Sequence, residues 1–367
     1  MGGAHRRNSG DSRNHKFMTN AVANKILSKV RSLGRRLASV TSNSERVSLS
    51  AISTERLGEE LARRIESLPG HPSHDIFYRH GFHLLRKHFY LPIPDDTDDL
   101  DNFWGSTSAM VGIDMNDGLA LDVMERICPP YLLEFRSKFP VDGPLTPPGF
   151  YLINGGYMAV DAHVLYCLIR HFKPKRVVEI GNGNSTLLAI AAADANLEET
   201  GTRANVVSID PYPWPLFKDG YRGLDELIIK RVQDVPVSYF EQLESGDILF
   251  IDSSHVIRSG NDVHYEFLEI LPRLKPGVLV HVHDISLPKP YPEVYFDNHL
   301  YWNEQYLLQA FLTFNDRFEI VWPGNYMMLN YTDRMLSTFP EISRMRQDYP
   351  QSEPTAFWMR VKATDAR

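Results

Sequence analysis

Cysteine is scarce in this 367-residue chain. Cys128 and Cys167 are the only two, which excludes a disulfide framework and a cysteine-rich zinc centre and fits a reducing, cytoplasmic setting. Long apolar runs are missing too; the longest fall far short of the roughly 20 residues of a membrane span, so a soluble protein is expected. His71, His74, His80, His83 and His88 crowd one stretch, yet none of their spacings gives the i,i+4 pair of two metal ligands on one helix face. The acidic run from Asp95 to Asp101 lacks the glycine and closing glutamate of an EF-hand loop and reads as a solvated loop.

Positive charge is short everywhere except at the start. Residues 1–65 hold 13 Lys and Arg against 5 Asp and Glu, a net +8 that leaves −15 for the remainder of a chain whose total is −7. An acidic main portion argues against nucleic acid as the principal partner. Residues 1–20 are polar and nearly free of apolar side chains, and are expected to be a disordered tail. Over 21–70 a basic amphipathic helical extension is expected. In it Ile26, Val30, Leu33, Leu37 and Val40 recur at helical spacing with Lys and Arg on the other faces, and a second helix runs from Ala51 to Leu68 before Pro69-Gly70. Residues 22–40 would pack on the domain or a partner chain, touch a membrane surface weakly, or act as a targeting segment. Residues 71–150, with short helical patterns such as Leu119–Ile127, are expected to cap an active site. Residues 151–335 would form the main domain and 336–367 a C-terminal extension.

The main domain begins with a helix over about 160–172 and then RVVEIGNGNSTLLAI, residues 176–190. Val177, Val178 and Ile180 suit a buried parallel strand, Gly181 and Gly183 permit a tight turn close to a ligand, and Asn184 or Ser185 can cap the following helix. Tyr151, Asn154 and Tyr157 are candidates to line a pocket beside that strand. Thr186 stands where a dinucleotide fingerprint needs glycine, and the loop has no P-loop lysine. Further strands are expected at 205–209, 227–232, 247–251 and 278–282, each leading to a helix or turn. The last two, 318–322 and 326–330, are separated by only Pro323-Gly324-Asn325 and would have to be antiparallel. The expected fold is α/β: a Rossmann-like, seven-stranded, mostly parallel sheet with helices on both faces, an antiparallel last hairpin and a helical N-terminal extension.

With Glu179 before the glycines, E-I-G-N-G-N-S resembles the first motif of class I S-adenosylmethionine-dependent methyltransferases. Asp210, at the tip of the next strand, is placed to bind ribose hydroxyls as acidic residues do in nucleotide-binding α/β folds. The expected cofactor-binding set is Glu179, Gly181, Asn182, Gly183, Asn184, Ser185, Asp210, Asp234 near the adenine, and Asp252. Strands four and five open onto Asp252-Ser253-Ser254-His255 and His283-Asp284, which resemble the metal sites of catechol-type and sugar-type O-methyltransferases. The resemblance implies that Asp252, His283 and Asp284 hold Mg²⁺ or Mn²⁺, with Asp252 and His255 catalytic and His255 the general base. His283 departs from the acidic ligand usual there. His281 shares its face, as a support for that site or a core histidine. The aromatic segment Pro288–Trp302, with Tyr291, Tyr295, Phe296, His299 and Tyr301, is long for a strand-to-helix connection and reads as a substrate lid or a subunit interface.

The expected activity is metal-assisted O-methylation of a small-molecule or glycan hydroxyl, with a homo-oligomer as the candidate assembly. Two other readings stay open: N-methyltransferase or hydroxylase-like chemistry on the same fold, and a non-catalytic scaffold that uses the basic N-terminus to bind a membrane or partner.

Overall fold

The computed structural model describes residues 53–67, 77–83, 85, 90–94, 98–143 and 149–363. The expected tail and basic helix, together with His71, His74 and His88, lie outside them. The chain divides into two compact units, Met1–His88 and Phe89–Arg367. The described part of the first holds the helix Thr54–Ser67, where Glu60 and Arg64 pair across one turn at 2.8 Å.

The second unit is built on a seven-stranded sheet: β1 Arg176–Ile180, β2 Asn205–Ile209, β3 Glu226–Ile228, β4 Ile248–Ile251, β5 Leu279–Val282, β6 Phe318–Pro323 and β7 Phe357–Val361. Their spatial order is β3-β2-β1-β4-β5-β7-β6. The first five strands are parallel, and β7 runs antiparallel to both neighbours. The sheet is buried on both faces, so its parallel strands read as apolar, β-branched runs. Alternate residues feed two separate cores. Val177, Ile248, Phe250 and Leu279 pack with the helices Asp161–Phe172 and Asn184–Thr200 on one side. On the other, Val178, Leu249, Ile251 and Val280 meet Val263, Phe267 and Leu308.

Register fixes where the functional residues emerge. Ile180 is level with Ile209 of β2 and Ile251 of β4, and Ile251 with Val282 of β5. The residues that follow, Gly181, Asp210, Asp252 and His283, therefore leave the sheet side by side at its carboxyl edge. Strand order reverses between β1 and β4, and there an open α/β sheet leaves a crevice for a ligand.

Four expectations need correction. Residues 326–330 form no strand: β6 ends at Pro323 and the chain turns directly into the helix Gly324–Asn330, which buries Met327 and Met328. A short apolar run such as YMML does not declare its period. The seventh strand is Phe357–Val361, so the expected C-terminal extension, 336–367, supplies a strand of the sheet. β3 stops at Ile228, and Val232–Asp234 makes a single 3₁₀ turn. Finally, much of the expected cap is core: Val123, Met124 and Phe135 are buried on the Asp161–Phe172 side of the sheet.

Candidate active site

The glycine turn is held by contacts that leave no room for a side chain. Gly181 has φ +103°, and a Cβ there would run into the carbonyl oxygen of Asp252. The Asp252 amide donates to the Ile180 carbonyl at 3.0 Å, and the Gly181 amide to that of Ile209 at 2.9 Å. Gly183, in extended backbone, precedes the 17-residue helix Asn184–Thr200, so neither Asn184 nor Ser185 is its cap. Ser185 Oγ and Thr186 Oγ1 instead both donate to the Glu179 carboxylate, the second at 2.6 Å, and Thr186 Oγ1 accepts from the Gly183 amide at 2.9 Å. Burial pushes the Glu179 carboxyl up to about 8, despite those hydroxyls. Glu179 thus ties strand, turn and helix start together from beneath.

On the open side of the turn, Asn182 Oδ1 accepts from the Trp214 amide at 2.9 Å, and the Trp214 ring lies against Gly183. Asp210 accepts from the Tyr212 amide with Oδ1 at 2.6 Å, and burial raises its pKa. Asp234 is exposed and forms a two-pronged pair with Arg231 at 2.7 and 2.8 Å. Glycines that bring backbone to the crevice and an acidic tip on β2 fit the cofactor that the motif implies.

Beyond β4 and β5 lies a cluster of acids and imidazoles. Ligand atoms of Asp252, His283 and Asp284 all fall within 4.8 Å of one another. His283 Nδ1 is 3.7 Å from Asp252 Oδ1 and 3.5 Å from Asp284 Oδ2. Burial opposes a charged His283, but Asp284 and Asp252 outweigh it and raise its pKa well above the usual value. Asp284 is lowered to about 2, burial being overcome by His283. Both ring nitrogens of His283 are buried without a hydrogen-bond partner among the described residues. An orphaned imidazole nitrogen facing two carboxylate oxygens is a donor set suited to a first-row divalent cation, Mn²⁺ included.

His255 completes the cluster. Its Nε2 is 3.4 Å from Asp252 Oδ1 and 3.5 Å from Asp284 Oδ2, and its Nδ1 is 2.9 Å from Glu304 Oε2. Burial works against its charged form, and Asp252 and Glu304 reverse that, holding its pKa well above the usual range. His281 is not part of this group. It is fully buried, stacked on Phe250 at 4.0 Å, with neither ring nitrogen hydrogen-bonded among the described residues, and burial drives its pKa well down.

Two residues here carried no sequence signal. Asp161 Oδ2 sits 3.7 Å from His283 Nε2 and accepts from the Thr355 amide at 2.9 Å. Glu304 opens the helix Glu304–Leu312. Both look like ordinary first-turn helix acids, which the helix dipole favours in any case. Of the three residues suggested before β1, Tyr157 packs its ring on His283 at 4.9 Å. Asn154 staples its own loop, donating to the Tyr151 and Tyr157 carbonyls at 2.8 and 2.9 Å.

The aromatic segment 288–302 lines a cavity of about 490 Å³ with Phe103, Trp104, Tyr291, Tyr295, Phe296 and Trp302 on its walls. Trp302 joins this cavity to the cluster, its ring 4.3 Å from that of His255. His299 and Tyr301 face each other at the exposed end, 3.1 Å apart. Gln305 anchors the segment, accepting from the Ser286 amide at 2.9 Å and donating to the Lys289 carbonyl at 3.1 Å. Among the described residues, no helix is long and apolar enough to cross a membrane.

A family model described as a methyltransferase domain matches residues 178–285, from within β1 to just past Asp284. An uncharacterized protein of Archaeoglobus fulgidus is 34% identical over 174 residues, which cover 44% of this chain and 74% of that one. Among solved structures, an O-methyltransferase from Bacillus cereus in complex with SAH aligns at 14% identity over 66% of this chain and 91% of that chain, with a TM-score of 0.30. The family match and the sheet order together identify the segment around residues 178–285 as a class I S-adenosylmethionine-dependent methyltransferase domain.

Proposed function

We propose that this protein is a metal-assisted O-methyltransferase that uses S-adenosylmethionine to methylate a hydroxyl of a small-molecule or glycan acceptor in the cytoplasm. The observation that carries the reading is the meeting of Asp252, His255, His283 and Asp284 at the carboxyl edge of β4 and β5, between the glycine turn and the aromatic cavity. Gly181, Asn182, Gly183, Asn184 and Ser185 would hold the methionine end of the cofactor, with Glu179 supporting the turn from below. Asp210 would take the ribose hydroxyls, Asp234 would stand towards the adenine, and Asp252 would border the sulfonium. Two buried, unpaired cysteines, Cys128 and Cys167, suit a reducing compartment.

A sulfonium methyl is already electrophilic, so the protein has to align acceptor with donor and provide a deprotonated oxygen. Tyr291, Tyr295, Phe296 and Trp302 would stack the acceptor and keep water from the crevice. Asp252, His283 and Asp284 would bind the divalent cation, with Asp161 steadying the far side of the His283 ring. That cation would lower the pKa of a nearby hydroxyl. His255 would take the hydroxyl proton on Nε2.

The test is a calorimetric titration of S-adenosylmethionine into the purified protein, with Mg²⁺, with Mn²⁺ and after chelation. Micromolar binding with a heat that changes on chelation is expected. No binding at millimolar donor would overturn the enzyme reading and leave the scaffold alternative.

A further inference from the structure

We propose that Glu304 is a positioning residue that holds His255 in one orientation, with hydrogen on Nδ1 and Nε2 turned towards Asp252 and Asp284. The claim that this serves proton removal rests on the methyltransferase reading; the geometry of the pair does not.

His255 is gripped on three sides by one short segment, Trp302–Glu304. Its carbonyl accepts from the Asn303 and Glu304 amides at 3.0 and 3.1 Å. The Trp302 ring covers one face, and the Glu304 carboxylate meets Nδ1. The backbone at His255 is left-handed, φ +59°, a conformation that costs a non-glycine residue energy and persists where surrounding contacts enforce it. Nothing in that conformation alone selects which ring nitrogen faces the crevice.

The carboxylate does select it. A neutral imidazole has one donor and one acceptor nitrogen, and the partner of one decides the character of the other. Glu304 Oε2 lies 2.9 Å from Nδ1, and a carboxylate that accepts this hydrogen bond requires the hydrogen on Nδ1. Glu304 also stands at the first position of the nine-residue helix Glu304–Leu312, where the helix dipole favours negative charge. The same segment ends the aromatic wall of the cavity. Movement of that wall would therefore be felt at His255.

The test is proton NMR on the full-length protein with ¹⁵N-labelled histidine, using His255→Asn to assign the signal. A strongly downfield proton bound to Nδ1 of His255 is expected in the wild type. Glu304→Leu should abolish it. Glu304→Gln, whose amide oxygen still accepts, should keep it at a less downfield position. Absence of the proton from the wild type, its attachment to no ring nitrogen, or its survival unchanged in Glu304→Leu would each overturn the proposal. If Glu304→Leu does not fold, an unmoved signal in Glu304→Gln overturns it equally well. Titration of the same samples with S-adenosylmethionine separates the two claims. A wild type that binds the donor but lacks the proton sinks the role of Glu304 alone. One that shows the proton but binds no donor sinks the methyltransferase reading and leaves the positioning of His255 intact.

Discussion

Gly181→Ala should cost more than any other single added methyl in the crevice, because two penalties coincide there. The residue sits at φ +103°, where a Cβ costs about 1–2 kcal/mol from backbone sterics alone. The new methyl would also be driven into the Asp252 carbonyl, which is backbone directly after β4 and pinned by the hydrogen bond of the Asp252 amide to the Ile180 carbonyl. Overpacking of that kind adds about 1–3 kcal/mol. A total loss of roughly 2–5 kcal/mol follows. Gly201 provides the control: its φ is +74°, but nothing lies within 4 Å of its Cβ position, so Gly201→Ala carries the backbone penalty without the collision. Urea denaturation of both variants, read by the shift in midpoint, isolates the difference. The only ways to relieve the collision are to part the ends of β1 and β4 or to shift Asp252. Gly181→Ala should thus also weaken S-adenosylmethionine at least tenfold in calorimetry, about 1.4 kcal/mol, while Gly201→Ala leaves binding alone. If the two variants were equally stable to within about 0.5 kcal/mol, the close approach of β1 and β4 would not constrain this turn.

Glu179 gives a pH signature. Its carboxyl titrates at about 8 in the folded protein against 4.5 as an ordinary carboxyl, so the folded state holds the extra proton between those values. Stability from this group is full below about pH 4.5, falls as pH rises, and levels off above 8. Glu179→Gln should therefore gain on the wild type by a few kcal/mol between pH 5 and 9, as followed by denaturation at each pH; a pH-independent gap would refute the buried, protonated state. Asp210→Ala should raise the Kd for S-adenosylmethionine by tenfold or more, since a lost hydrogen bond to a charged group is worth about 1.5–3 kcal/mol. Unchanged calorimetric affinity would dismiss the ribose role. Asp284→Asn should abolish Mn²⁺ binding measured by electron paramagnetic resonance of the free ion, whereas Glu304→Gln should retain it. Equal affinity in wild type and Asp284→Asn would mean that the cluster binds no metal.

The sequence by itself determined what depends on local chemistry and on strong alternation. Val177, Val178 and Ile180 before Gly181 could hardly be other than a buried strand entering a tight turn, and acidic or imidazole residues immediately after such strands must emerge at one edge of a parallel sheet. Asp252, His255, His283 and Asp284 were legible for that reason. Tertiary structure decided what local pattern leaves degenerate. YMML at 326–329 has the composition of a strand or a buried helix, and only the pairing of Phe357–Val361 between β5 and β6 settles which segment completes the sheet. Asp161 and Glu304 are separated from their histidine partners by 122 and 49 positions, and each sits where helix propensity alone would put an acid. Their meaning arises from long-range packing, which brings a buried carboxylate against one edge of an imidazole and so fixes what the other edge can do.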